Sequence, residues 1–152
     1  MSTLIIEKAK LKNLKDLIYL LFDDDLGKDR ENISETSFNN YKKSFMKILN
    51  DTNNEIFIMV LNDQIIGMMQ LTFIPGLSME GMTRCQIESV RIKKDYRNKG
   101  YGSELIKKGI EIAKLNKCGL IQLTSNKERL KAINFYKKLG FLCTHKSFKL
   151  DL

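Results

Sequence analysis

One histidine, one proline and three scattered cysteines leave this chain short of the residues that build metal centres, rigid linkers and disulfide frameworks. His145 stands alone, so no paired-histidine metal site exists, and no Cys/His cluster replaces it. No metal is expected. Cys85, Cys118 and Cys143 are far apart, odd in number and set in apolar contexts, so they read as reduced core residues. Pro75 is the only proline, and no repeat or low-complexity tract interrupts the 152 residues. A single domain over 1–152 with one sizeable core is the expectation. No apolar run approaches membrane-spanning length, and "MSTLIIEKAK" lacks the shape of a signal peptide. A cytoplasmic protein with no membrane partner is expected.

The net charge of +8 is carried mostly by lysines spread along the whole chain. It contains no Arg-rich or aromatic-interleaved block, so the pattern is a solvated lysine surface and no nucleic-acid partner is expected. Such a surface does suit a smaller polyanion, because it raises the local concentration of a phosphorylated ligand.

The apolar periodicity gives an α/β order. "TLIIEKA" reads as a strand, and "LKNLKDLIYLLF" and "TSFNNYKKSFMKIL" read as amphipathic helices. "EIFIMVL" and "QIIGMMQLTFI" form a hairpin around Asn62-Asp63. A strand follows from about Thr83 to Ile92, then a helix over 101–117, a strand "LIQLT", a helix over 127–139 and a strand "FLCTHKSFKL". Within 83–92, Ile87 sits on one face by strict alternation while Val90 and Ile92 sit on the other. A β-bulge would reconcile the phases; a strand buried on both faces would also allow them. In the later helix, "SNKE" (125–128) fits a capping box and Gly140 a left-handed helix end. Leu130, Ile133, Tyr136 and Leu139 make an inward stripe, and from periodicity alone Tyr136 is a core residue.

Between the strand over 83–92 and the helix over 101–117 lies "RNKGYGSELI" (97–106), with Arg97, Lys99, Gly100 and Gly102 at the junction. Glycines let a ligand approach the main chain, and a helix start offers unpaired N–H groups, so the junction suits a phosphate. It is not a P-loop, because no Gly-Lys-Ser/Thr follows at the right distance. It lacks the third glycine of a dinucleotide fingerprint, and "IQLTSN" ends in no ribose-binding acid. No Gly-x-Ser-x-Gly elbow is present.

"VRIKKDYRNKGYGSELI" resembles the central motif of the GNAT superfamily of acetyl-CoA-dependent N-acetyltransferases, Arg/Gln-x-x-Gly-x-Gly/Ala at a helix start, matched by Arg97, Gly100 and Gly102. "AINFYKKLGF" (132–141) resembles the second hallmark, a helix ending in Tyr-x-x-Leu-Gly-Phe. The resemblance implies a mixed central sheet with a splayed strand pair, flanked by about four helices. It implies acetyl-CoA as co-substrate, its diphosphate on the main chain of Arg97, Asn98, Lys99, Gly100, Tyr101, Gly102 and Ser103. Its pantetheine would lie beside Ser89, Val90, Arg91 and Ile92, where a bulge opens the sheet. A main-chain N–H near Val90 would polarise the thioester carbonyl, and holding thioester and amine together supplies rate by proximity.

Tyr136 matches the family tyrosine that protonates the departing thiolate, a phenol being protonated at neutral pH. Arg129 is placed to reach the cofactor's 3′-phosphate, or is an ordinary exposed helix arginine. Glu88, next to the expected oxyanion site, is the candidate general base, directly or through water; the alternative is a structural carboxylate paired with Arg84 or Arg91. His145 lines the acceptor pocket or is a hydrogen-bonded structural residue. The acceptor implied is a primary amine of a small molecule or peptide, and a homodimer is compatible with the family. "DDDLGKDRE", with Asp23, Asp24, Asp25, Asp29 and Glu31, would gather a cationic amine, or is simply a solvated acidic turn. The rival to an enzyme is a GNAT-like protein that binds coenzyme A for regulation without turnover.

Overall fold

The computed structural model describes residues 3–25 and 27–152. Their contacts divide the chain into two compact units, one reaching to Gln122 and the other Leu123–Leu152. Five strands make one sheet in the order β1-β2-β3-β4-β5: β1 Leu4–Lys8, β2 Asn54–Leu61, β3 Gln64–Pro75, β4 Thr83–Ile92 and β5 Leu120–Leu123. The first four are antiparallel neighbours. Gly119 N–H donates to the Thr83 carbonyl and the Gln122 amide to Gln86, positions that advance together, so β5 runs parallel to β4. With four residues, β5 accompanies only the first half of β4. This is the mixed sheet that the family resemblance implied.

The hairpin forms because Asn62 and Asp63 both take the left-handed conformation (φ 49° and 62°) that a tight two-residue turn between twisted strands requires. Ser34 opens α2 (Glu35–Leu49) by accepting the Ser37 N–H. Along α1 (Leu14–Phe22), Leu14, Leu17, Ile18 and Leu20 turn inward; with Phe45 of α2 they bury against Ile56, Ile58 and Met68 on one face of the sheet. On the opposite face lie the alternate residues Met69, Leu71, Cys85 and Ile87, all essentially inaccessible. There α4 (Tyr101–Leu115) packs on β3 and β4 with Leu105 and Ile106 inward. Burial among these side chains pushes the Cys85 thiol up to about 12, consistent with a reduced core residue. A short segment, α3 (Ser78–Gly81), has Met79 and Glu80 in left-handed conformations between β3 and β4.

The second unit contains α5 (Leu130–Lys138). Its end is a Schellman motif: Gly140 has φ 91°, its N–H donates to the Lys137 carbonyl, and the Phe141 N–H donates to Tyr136. The helix starts three residues later than "SNKE" suggested. Asn126 Oδ1 accepts the Glu128 N–H and turns the chain ahead of the helix, and the N-cap position falls on Arg129, with no side-chain cap bond. The strand expected over 141–150 is absent from the described residues, which have no regular structure there. Alternating apolar side chains favour a strand only where a neighbouring strand completes the ladder, and Phe148 and Leu150 are instead fully exposed.

Candidate active site

The phase slip in β4 is a bulge. Gln70 pairs with Glu88 and Met68 with Arg91, so Ser89 and Val90 share the single partner position of Met69 and stand outside the register. Ser89 adopts φ 52°, a conformation costly for a residue with a side chain and common where a fold re-aims its backbone at a site. Arg91 Nη1 donates to the Val90 carbonyl at 2.9 Å.

The chain then makes a 3-10 turn, Lys94–Tyr96, and a loop in which Asn98 (φ 61°) and Gly100 (φ 88°) are both left-handed before α4 begins at Tyr101. Alternating hands of this kind turn successive N–H groups toward one side, and a helix start leaves its first N–H groups without intrahelical partners. Among the described residues, the main-chain N–H groups of Asn98, Lys99, Gly100, Tyr101, Gly102 and Ser103 make no hydrogen bond. A Cβ on Gly100 would meet no atom within 4 Å, so the concavity is open. Lys99 lies over the Tyr96 ring, 5.6 Å from its centre, and Tyr96 is anchored through its hydroxyl to Gln64. Six consecutive free donors at the positive end of a fifteen-residue helix form an anion cradle.

Arg97 also ties the loop to its surroundings. Its own N–H is taken by the Lys94 carbonyl. Its guanidinium donates through Nε to the Ile92 carbonyl and through Nη2 to the Asp23 carbonyl, both at 2.9 Å. The Asp23 carboxylate in turn accepts the Lys94 N–H at 3.0 Å and lies 3.7 Å from Arg97. A cation thus seats on the carbonyl end of α1, the favourable sign for a helix C-terminus. Asp24 faces Arg91 at 3.7 Å, the two side chains largely shielded from solvent. Glu31 accepts from the Tyr41 hydroxyl, and burial together with that carboxylate raises the Tyr41 pKa. The acidic turn is therefore neither bare nor simply solvated: its carboxylates tie α1 to the bulge and the loop. Nothing in the sequence signals this tie, because Asp23 and Arg97 lie 74 positions apart.

Glu88 is exposed on the strand next to the bulge, and neither Arg84 nor Arg91 engages its carboxylate among the described residues. In the second unit Tyr136 is half-buried, with its ring edge-to-face on Phe135 (5.1 Å) and Phe141 (5.8 Å). Arg129 is half-buried at the start of α5. His145 is exposed, outside any strand, and its Nδ1 lies 2.7 Å from the Thr144 hydroxyl. Sequence reasoning also passed over a polar strip on β2–β5. Asn54 Oδ1 accepts from Thr72 and Gln70, and Gln122 donates to Gln86. Its signal was present in the polar residues at every second position of "QLT" and "QIE".

Residues 14–141, which run across both units, match the acetyltransferase (GNAT) family. A solved protein of Bacillus halodurans C-125, described as a transcriptional regulator, is 37% identical with a TM-score of 0.94, over 99% of this chain and 100% of that one. A predicted acetyltransferase of Clostridium acetobutylicum, solved with acetyl-CoA, shares the fold at TM-score 0.77 and 20% identity, over 98% and 96% of the two chains. The glucosamine 6-phosphate N-acetyltransferase of Trypanosoma brucei brucei is 33% identical over 89 residues, 59% of this chain. That match spans 58% of the relative's own length, less than two thirds of it. A family match of this extent, on a fold with a bulged β4 and an open anion cradle ahead of α4, is decisive: the chain belongs to the GNAT acetyltransferase family.

Proposed function

We propose that this protein is a single acetyltransferase domain that moves an acetyl group from acetyl-CoA to a primary amine by direct attack in a ternary complex. The observation that carries the reading is the run of six unbonded N–H groups, Asn98–Ser103, at the start of α4 and one short turn beyond the bulged strand. Those donors suit a diphosphate. The residues outside the ladder, Ser89 and Val90, offer the backbone along which a pantetheine chain is received, with Arg91 and Ile92 beyond them. The Val90 N–H is assigned to the thioester carbonyl, where it stabilises the oxyanion that forms on attack. As the amine nitrogen bonds to the acetyl carbon and the carbon–sulfur bond breaks, Glu88 takes the ammonium proton, directly or through water. Tyr136 gives a proton to the leaving thiolate, the role its family motif implies, and Arg129 is assigned to the 3′-phosphate. Likeness to an amino-sugar acetyltransferase and to a structure solved with acetyl-CoA supports the amine acceptor and the co-substrate.

Acetyl-CoA incubated with a panel of primary amines should release free thiol in proportion to acetylated amine. A second reading, a coenzyme A-binding regulatory protein without turnover, is favoured by the likeness to a protein described as a transcriptional regulator. Saturable acetyl-CoA binding with no thiol release on any amine would support that reading and contradict catalysis.

The tie between the acidic turn and the loop has its own consequence. Asp23→Ala removes the acceptor of the Lys94 N–H and the carboxylate facing Arg97, so only the main-chain carbonyl of residue 23 still anchors the loop on α1. The KM for acetyl-CoA should rise roughly three- to tenfold, the cost of one charged hydrogen bond, with kcat nearly unchanged. Asp23→Asn keeps an oxygen for Lys94 and should recover part of the loss. A change in the amine KM alone would mean that Asp23 steers the acceptor instead.

A further inference from the structure

One face of the sheet is divided in two. Next to Ile56, Ile58 and Met68, which α1 and α2 cover, the same face of β2–β5 carries Asn54, Thr72, Gln70, Gln86, Glu88 and Gln122. Asn54 pairs with Thr72, Thr72 with Gln86, and Gln70 with Glu88, so these side chains stand side by side across the strands. All but Glu88 are half-buried, and Glu88 is exposed.

The orientation of this strip follows from hydrogen-bond chemistry. Asp51 accepts the Asn53 N–H and the Asn54 side-chain amide, and these bonds hold its carboxyl below the usual range, so it is an acceptor only. Asn54 must therefore turn its NH₂ to Asp51 (2.6 Å) and its oxygen the other way. That oxygen receives the Thr72 hydroxyl at 2.6 Å and the Gln70 NH₂ at 3.2 Å. Gln70 has thus turned its NH₂ toward Asn54 and given it one N–H, which leaves Oε1 facing away. Across β4, Gln122 commits its NH₂ to Gln86 at 2.9 Å. What these side chains have left to offer a ligand is mainly oxygen, Gln70 Oε1, Gln122 Oε1 and the Glu88 carboxylate, which no described residue engages, beside the second N–H of each amide. Arg84, two residues before Gln86 on the same strand, supplies a donor further along β4.

We propose that this strip is the floor of the acceptor site and that it selects a primary amine carrying further N–H or O–H donors, such as a polyamine or an amino sugar. The inference rests on the acetyltransferase reading. Glu88 and Gln70, cross-strand neighbours beside the bulge, receive the amine's own donors, and Gln122 receives a donor farther along the molecule. A simple alkyl amine satisfies one of these acceptors and leaves the others facing its apolar chain, an arrangement that costs affinity.

The test compares spermidine, glucosamine and n-butylamine as acceptors for the wild-type protein and for Gln70→Met and Gln122→Leu. Spermidine or glucosamine should exceed n-butylamine in kcat/KM by at least tenfold. Each variant should raise the KM of the preferred amine about tenfold, the worth of one hydrogen bond to a charged group, and leave the acetyl-CoA KM unchanged. The two variants guard against a folding defect in either, and acetyl-CoA affinity reports on the fold. If n-butylamine serves as well as the other two, or if neither variant alters the amine KM, the floor is overturned while acetyl transfer stands. If no amine is acetylated although acetyl-CoA binds, the catalytic reading itself fails and the floor with it. The better of spermidine and glucosamine distinguishes the two sources of donors.

Discussion

Tyr136→Phe is expected to lower kcat by ~10²–10⁴-fold, the range that a positioned general acid contributes. The substitution removes one oxygen and keeps the ring, whose edge-to-face contacts with Phe135 and Phe141 close the end of α5. Those contacts belong to packing, as does the Schellman turn that carries the Tyr136 carbonyl. Acetyl-CoA affinity should therefore change little, and the loss should appear in kcat and kcat/KM alike, the signature of an interaction made only in the transition state. The measurement belongs under single-turnover conditions, where thiol departure rather than product release sets the rate. An unchanged single-turnover rate would return Tyr136 to a packing role.

Gly100→Val should weaken acetyl-CoA binding on the order of a hundredfold, equivalent to losing one or two charge-assisted hydrogen bonds. Gly100 sits at φ 88°, where a β-branched residue is a genuine outlier, so the loop must rearrange and the N–H run it organises must scatter. Protein crowding is not the cause, since a Cβ there meets nothing within 4 Å. The damage is to backbone conformation and to the close approach of an anion. Lys99→Ala should cost only a few-fold, because an exposed charge is screened by salt. Isothermal titration with acetyl-CoA separates the two. Equal affinities for wild type and Gly100→Val, with α4 intact by circular dichroism, would remove the loop from the binding site.

Much of the fold was legible because local periodicity and burial agree. The stripe Leu14, Leu17, Ile18 became the buried face of α1, and Asn62-Asp63 became the left-handed hairpin turn. The broken alternation between Ile87 and Val90 resolved into the bulge at Ser89. Two readings failed for physical reasons. The alternation over 141–150 lacks a ladder partner among the described residues, and a strand cannot form on its pattern alone. The start of α5 moved because Asn126, not Ser125, supplies the turn's oxygen. At the site, the glycine loop announced itself because its chemistry lies within one short stretch. The Asp23–Arg97 tie and the oriented strip from Asp51 to Gln70 did not, because each depends on residues brought together only by the folded sheet. Arg97 is the instructive case: its position in the motif suggested the anion, and the folded chain adds bonds from its guanidinium to the Ile92 and Asp23 carbonyls that the motif did not announce.

A structure of the protein with coenzyme A bound tests the central claim most directly. The account predicts diphosphate oxygens within hydrogen-bond distance of the N–H groups of Asn98–Ser103, with the pantetheine arm extended along Ser89–Ile92 and its thiol end beside the Val90 N–H. A diphosphate held elsewhere, with those six N–H groups still facing solvent, would contradict it.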